Sequence, residues 1–125
     1  MPISIKNSTR RTLPKLEFDL IKKKALGESY ELSLVFVGHT ASRRLNKSLR
    51  GKDRPTNVLS FPLSKTSGEI FIDLAQAEKE HSKFDMNFKK FVAYLYIHGL
   101  LHLKGMEHGA KMEKAEKRLL SQFNF

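Results

Sequence analysis

The spacing of hydrophobic and polar residues along the chain predicts four strands and five helices. Short segments that alternate between apolar and polar residues, or that are apolar throughout, predict strands over residues 3–5, 30–37, 58–61 and 69–72. Segments with apolar residues three or four positions apart predict helices over residues 14–25, 40–49, 74–83, 87–103 and 110–122. The order βαβαββααα favours an α+β fold, a single mixed sheet of about four strands with helices packed over it.

Residues at the ends of these segments refine their limits. Thr12 followed by Pro14 predicts the start of the first helix, and Asp73 is a candidate cap for the third. Pro62 is expected to end the third strand. The second helix is predicted to turn three apolar residues inward, namely Ala41, Leu45 and Leu49. The last helix is predicted to keep its lysines and glutamates outside and to bury four residues, namely Met112, Ala115, Leu119 and Leu120.

Length and composition suit one compact domain over residues 1–125. Hydrophobic residues make up 40% of the chain, and nine Phe with three Tyr supply bulky core material. Because cysteine is absent, a transition-metal site has to use histidine with carboxylate or water. Residues 1–6 lack the apolar run of a signal peptide, and no apolar stretch is long enough to span a bilayer. We therefore expect a cytoplasmic protein.

The charge balance is strongly basic. Lys and Arg number 23 against 13 Asp and Glu, which gives a net charge of +10 and a pI near 9.9. Residues 1–66 hold 14 basic and 5 acidic side chains, whereas residues 67–125 hold 9 and 8. Such a surplus favours polyanionic partners, chiefly nucleic acid or an anionic membrane surface, although it also fits solubility alone.

Three histidines near the C-terminus have the spacing of a metal site. His98 and His102 are four residues apart, so on a helix both imidazoles project from one face. Gly105 can end that helix with a positive φ, and the resulting turn lets His108 supply a third ligand. Three neutral imidazoles hold zinc tetrahedrally and leave the fourth position open, which is typical of catalytic rather than structural sites.

The same spacing occurs in the metzincin proteases, which carry a glutamate directly after the first histidine. That glutamate is their general base, and here the position is Gly99. The ligand set is therefore present without the proteolytic base. Glu107, beside the third histidine, is either a carboxylate partner or proton carrier of the site or a solvated loop charge.

A basic loop precedes the third predicted strand. Arg50, Lys52 and Arg54 can donate hydrogen bonds to phosphate oxygens, and the two arginines can do so bidentately. Thr56 and Ser60 add hydroxyl groups near the strand. Taken alone, the segment also fits an ordinary turn with solvated charges.

Together the two segments resemble the YbeY family of rRNA maturation factors. Residues 98–108 match the family signature H-G-x-L-H-L-x-G-[YH]-D-H, and residues 50–62 match its second block, R-x-K-D-x-P-T-D-V-L-S-F-P. Residues 68–72 are similar to the G-D-I strand of the family. Three aspartates of the family pattern are replaced. Glu69 and Glu107 keep the charge, whereas Asn57 loses it.

The resemblance implies a zinc-dependent endoribonuclease that is specific for single-stranded RNA and has a zincin-like three-histidine site. Each chain is expected to bind one zinc ion, or another divalent transition metal in its place. The implied metal ligands, which are also catalytic, are His98, His102 and His108. Arg50 is the implied catalytic basic residue near the metal, and the candidate RNA-binding residues are Arg50, Lys52 and Arg54. The expected role is 16S rRNA 3′-end processing, ribosome maturation and ribosome quality control.

The expected partners are single-stranded RNA or rRNA, the small ribosomal subunit and ribosome-associated proteins, with neither a membrane nor DNA among them. Two alternatives stay open at this point. One is a non-catalytic ribosome assembly factor that zinc stabilises. The other is a metal-dependent protease, against which Gly99 argues.

Overall fold

The computed structural model describes residues 3–123, and its elements follow the predicted order. Strands β1 to β4 span Ile3–Asn7, Glu31–Val37, Val58–Ser64 and Ser67–Asp73. Helices α1 to α5 span Phe18–Leu26, His39–Arg50, Leu74–Glu80, Phe88–Leu103 and Ala110–Ser121, and a 3₁₀ helix, His81–Phe84, follows α3. The α+β class is confirmed. The ends of the predicted 1–125 domain, residues 1–2 and 124–125, lie outside the described residues, and the single domain stays a prediction.

The four strands form one mixed sheet in the order β1-β2-β4-β3. β1, β2 and β4 run parallel, and β3 pairs antiparallel with β4. The prediction that Pro62 ends its strand is wrong, because β3 continues to Ser64 with a register irregularity between these two residues. β3 is an edge strand, so one of its sides needs no amide donor and a proline is tolerated there.

Helix α4 is the central element of the core and packs against α1, α5, β3 and β4. Nine of its sixteen residues are buried, so neighbouring elements cover most of its surface. The Tyr96 hydroxyl donates a 2.8 Å hydrogen bond to the Phe18 carbonyl and so ties α4 to the start of α1. Among the described residues, no helix has both the length and the apolar character needed to cross a membrane.

The first helix begins later than predicted. It starts at Phe18, and the segment with Thr12 and Pro14 is not helical. Leu13 and Leu16 nevertheless pack against the core from this extended segment. Their spacing resembles that of a helix face, and the fixed φ of proline is as compatible with an extended chain as with a helix start. Local sequence could therefore not separate the two conformations.

Helix α2 is anchored by polar side chains instead of the predicted apolar ones. Ser42 and Asn46 are buried, whereas Leu49 is 48% exposed, so the predicted inward set of Ala41, Leu45 and Leu49 is wrong in part. The Ser42 hydroxyl donates to the carboxylate of Asp73 at 2.8 Å, and the Asn46 amide donates to a backbone carbonyl of the loop that follows α2 at 2.9 Å. The first bond fixes the N-terminal part of α2 to the end of β4, and the second fixes the middle of the helix to the loop that follows it.

The buried hydrogen bond of Ser42 predicts a measurable stability difference within one helix. Ser42→Ala removes a donor to the nearly inaccessible Asp73 carboxylate, so we expect a loss of about 1–3 kcal/mol in the free energy of unfolding. Ser48→Ala changes an exposed serine of the same helix and should stay within about 0.5 kcal/mol of the parent. Urea denaturation measures both variants. Equal stability of the two would show that Ser42 does not anchor α2.

Candidate metal centre

The three histidines predicted to bind metal lie together in the structure. The ring centroids of His98, His102 and His108 are 4.6, 4.9 and 4.8 Å apart, and one ligand nitrogen from each lies within 4.8 Å of the others. The Nε2 atoms of His98 and His102 are 3.1 Å apart. A tetrahedral zinc ion with Zn–N bonds of about 2.0–2.1 Å separates its ligand nitrogens by about 3.3–3.4 Å. The donor set therefore fits one such ion.

The end of α4 brings the third histidine back towards the first two. Gly105 adopts a φ of 96°, and its amide donates to the His102 carbonyl at 2.9 Å. The Met106 amide donates to the Leu101 carbonyl at 3.0 Å, which completes a Schellman motif. The Met106 side chain packs against the core. This turn reverses the chain so that His108 faces the helix that precedes it, as the glycine predicted.

A carboxylate contacts the most buried of the three imidazoles. Nδ1 of His98 lies 3.4 Å from Oε1 of Glu116 on α5, so Nδ1 can donate to the carboxylate while Nε2 faces the other histidines. Such a partner fixes the tautomer and orientation of a metal-binding imidazole. Glu107, the carboxylate considered from sequence, is exposed instead. Glu116 lies on the buried face of α5 with Met112 and Leu119. A charged residue at a position with the spacing of a buried face was the one indication of its role in the sequence.

Burial sets the protonation of the site. It lowers the pKa of His98 to about 4, together with the neighbouring His108 and the charge of Arg50. Burial and the two other imidazoles lower the pKa of His102 as well. Burial raises the pKa of Glu116, an effect that the Tyr94 hydroxyl partly offsets. His98 is therefore neutral at neutral pH, the form in which an imidazole binds a metal.

The histidines line a cleft of about 290 Å³ in which one predicted RNA-binding residue is also present. Arg50, at the end of α2, lines this cleft with the three imidazoles and with Ser60 of β3. Lys52 and Arg54 are exposed but are not lining residues. Arg54 belongs to a separate depression along α2. The structure thus brings together Arg50 and the histidines and leaves the other two cations apart.

The two remaining histidines lie outside the cluster. His39 has its Nε2 3.6 Å from a carboxylate oxygen of Asp73, and His81 contacts the Met86 carbonyl through Nδ1 at 2.8 Å. Both side chains are half-buried.

Asn57, which departs from the family pattern, also lines the cleft. Its Nδ2 donates a 2.7 Å hydrogen bond to Oε1 of Glu80 on α3. Gln76 donates to the other oxygen of the same carboxylate at 2.5 Å. The Glu80 carboxylate is therefore hydrogen-bonded to Asn57, the residue that replaces the aspartate of the family pattern. Nothing in the sequence indicated this contact, because it joins residues of two different elements.

Aromatic rings form the other wall of the cleft. Phe84 stacks on Phe91 with ring centroids 5.0 Å apart and an interplanar angle of 27°. Tyr94 stacks on Phe91 in turn at 6.1 Å and lies 6.0 Å from the ring of His98. Phe84 is 49% exposed although it is stacked on one side. The cleft thus combines an apolar ring face, a guanidinium and a cluster of nitrogen ligands.

Gly99 occupies the position of the protease general base, and close packing against the sheet favours a glycine there. A Cβ atom at this position would lie 3.1 Å from Cδ1 of Ile70, a buried residue of β4. Gly99 lines the cleft, but a side chain at this position would start against β4 at close range. A glutamate there would first have to displace Ile70, so the present packing does not suit the general base of a metzincin.

Comparisons with known proteins agree with these features. A family model described as Endoribonuclease YbeY matches residues 3–124. The chain is 32% identical over 122 residues to the Endoribonuclease YbeY of Pelotomaculum thermopropionicum. The alignment covers 85% of this chain and 80% of the relative. It is 34% identical over 110 residues to the Endoribonuclease YbeY of Alkaliphilus oremlandii, in an alignment that covers 76% of this chain and 73% of the relative.

A solved structure has the same fold. The solution structure of a Thermotoga maritima protein superposes with a TM-score of 0.68 at 27% sequence identity. The match covers 96% of this chain and 87% of that one.

The packing of Gly99 predicts opposite outcomes for two substitutions. Gly99→Glu buries an unpaired carboxylate, so we expect it to lower the free energy of unfolding by more than about 3 kcal/mol. Gly99→Ala should stay within about 1 kcal/mol of the parent, because the gain in helix propensity offsets the contact with Ile70. Denaturant titration measures both. A fully stable Gly99→Glu variant would mean that the glutamate side chain reaches the cleft without strain and would restore the protease alternative.

Proposed function

The chain belongs to the endoribonuclease YbeY family, and we propose that it is a zinc-dependent endoribonuclease specific for single-stranded RNA. Its proposed role is 16S rRNA 3′-end processing, ribosome maturation and ribosome quality control in the cytoplasm, with the small ribosomal subunit as its site of action. One observation carries the proposal. A three-histidine cluster able to hold a metal lies in the same cleft as a guanidinium without a carboxylate partner among the described residues.

The three imidazoles would hold one zinc ion, with Glu116 orienting His98. The bound ion would supply Lewis acidity for phosphodiester hydrolysis. Histidine nitrogens suit zinc and neighbouring transition metals better than magnesium or calcium, which prefer oxygen ligands. Histidine and carboxylate are also the only strong transition-metal ligands available to a chain without cysteine.

Arg50 would bind the phosphate beside the metal. Within residues 3–123 no carboxylate lies within 4.0 Å of its guanidinium, so its donors are available to an anionic ligand. A guanidinium can donate two parallel hydrogen bonds to a phosphate and stabilise the charge that develops on its oxygens. Lys52 and Arg54, exposed on the loop after α2, would extend RNA binding beyond the cleft.

The aromatic wall would select single-stranded RNA. A base can stack on the exposed face of Phe84 only when it has left its own helical stack. Phe91 supports that ring from behind, so the stacking surface is already in place before RNA binds. The metal and Arg50 lie in the same cleft, so a stacked base would keep its phosphate near both.

The principal alternative is an assembly factor in which zinc only stabilises the fold. Both functions include zinc and rRNA binding, and they differ in whether RNA is cut. An open cleft with Arg50 beside the ligand cluster favours catalysis, because a purely structural site is normally closed by four protein ligands.

Two substitutions separate metal binding from catalysis. His102→Ala should lose both zinc and RNA cleavage. Arg50→Ala should keep its fold and its zinc but lose about 100-fold or more in kcat/KM, because it removes a group that stabilises transition-state charge. Arg44→Ala, an exposed arginine of the same helix outside the cleft, should change kcat/KM no more than a few-fold. Metal analysis and a salt-controlled assay on a single-stranded oligonucleotide measure these effects.

The outcomes distinguish the candidate functions. Zinc-loaded parent protein that binds but never cuts RNA would favour the assembly factor. Unchanged metal content and cleavage in His102→Ala would contradict the metal site itself. Equal reductions in kcat/KM for Arg50→Ala and Arg44→Ala would indicate that only general charge matters.

Phe84 provides a separate test of strand specificity. Phe84→Leu keeps an apolar contact with Phe91 but removes the ring, so we expect kcat/KM on single-stranded RNA to fall about tenfold, the usual effect of removing one base stack. Phe61→Leu, which removes a ring from the stacked pair with Phe71 outside the cleft, is the matched control and should have little effect.

A series of oligonucleotides, each with one base removed, identifies the stacked position. The parent should lose activity at one position of the series, and Phe84→Leu should be indifferent to the same change. If parent and variant respond alike to every missing base, Phe84 does not stack on RNA.

A further inference from the structure

A second cleft lies between the C-terminal end of α1, the segment after α4 and α5. It has a volume of about 660 Å³ and shares no lining residue with the metal cleft. Its lining carries no acidic residue and five exposed cations, namely Lys24, Lys104, Lys111, Lys114 and Arg118. We call this cleft the basic groove.

Three of the four cations of α5 line the groove. Lys111, Lys114 and Arg118 are three and four residues apart and so share one face. Glu116 points elsewhere, towards His98. Within residues 3–123 no carboxylate lies within 4.0 Å of any of the five groove cations. Their charges repel one another, and an anionic ligand would relieve that repulsion.

The cationic surface continues beyond the groove. An adjoining cleft of about 470 Å³ shares Lys24 and Lys104 with it and adds Lys23 and Lys65. Of these four lysines, Lys23 alone has a carboxylate nearby among residues 3–123, at 3.3 Å from Asp19. The positive surface therefore extends from α5 past the end of α1, over a longer path than a single small anion requires.

The chemistry of the groove selects the phosphate backbone of a nucleic acid. No aromatic residue of the described chain lines it, so it lacks the stacking surface that recognises unpaired bases. Its apolar floor is largely closed, with Leu101 2% and Leu119 8% exposed, and offers little to the apolar face of a peptide. Lysine ammonium groups instead bind phosphates as point charges and give no base specificity.

We propose that the basic groove binds the phosphate backbone of an RNA duplex next to the single strand that enters the metal cleft. This inference rests on the proposed ribonuclease function. A duplex hides its bases and presents its backbone, which suits a groove that has cations and no stacking ring. The metal cleft, with Phe84 and Tyr94, has the complementary character. The two surfaces together would favour RNA at a junction between paired and unpaired segments.

The test measures binding of a blunt RNA hairpin, which lacks the single strand needed for cleavage. The triple variant Lys111→Gln, Lys114→Gln, Arg118→Gln should raise the Kd about tenfold or more at moderate salt. It should also flatten the plot of log Kd against log salt by about 0.9 for each phosphate that the variant no longer neutralises. The control Lys6→Gln, Lys15→Gln, Lys79→Gln makes the same charge change at exposed positions outside the clefts and should change Kd about twofold at most.

Cleavage assays complete the design. A hairpin with a single-stranded tail should show a raised KM in the groove variant, with kcat for a plain single strand unchanged. Equal weakening by both triple variants, or unaltered hairpin binding by the groove variant, would overturn the inference. Poly-glutamate binding that the groove variant loses while it binds RNA normally would also overturn it, in favour of an acidic protein. Hairpin binding does not depend on cleavage. A parent protein that cuts no RNA would therefore contradict the proposed function, and the binding measurements would still test the basic groove.

Discussion

The close packing of α4 on the sheet is the constraint on which the metal centre depends. Gly99 lets the helix approach Ile70, and at the other end of the contact Gly68 of β4 lies against Leu103, where a Cβ atom would come within 2.8 Å of the leucine. Because the sheet and the neighbouring helices cover most of α4, only one strip of the helix is left open. His98 and His102 lie on that strip, and their separation follows from helical geometry.

The electrostatics of the site follow from the same burial. Withdrawal from water keeps His98 and His102 neutral, so metal binding would not have to displace protons from these two imidazoles at neutral pH. Arg50 adds a positive charge that further disfavours imidazolium. A cation held by the histidines would also be repelled by Arg50, so the pair is most stable with an anion between them. Under the proposed function, a phosphodiester of the RNA would be that anion.

Sequence predicted the elements well where a single helix or strand determines the outcome. The spacing of His98 and His102, the turn at Gly105 and the cap at Asp73 are local properties and are confirmed in the structure. The failures involve contacts between elements. Helix α2 buries Ser42 because Asp73 of another element is there to receive its hydroxyl, and hydrophobic spacing cannot report such a partner. The contact of Glu116 with His98 could not be predicted for the same reason. The sequence showed only a charged residue on the buried face of α5.

Net charge along the chain was a poor guide to charge on the surface. Residues 67–125 are nearly neutral overall, yet four of the five cations in the basic groove come from this half. Folding separates Lys111, Lys114 and Arg118 from Glu116, so one helix presents a positive face to the basic groove and a carboxylate to His98. The turn around Gly105 adds Lys104 to the groove and His108 to the metal cleft. A short segment thus connects the two surfaces, and an RNA bound as proposed to one of them would pass close to the other.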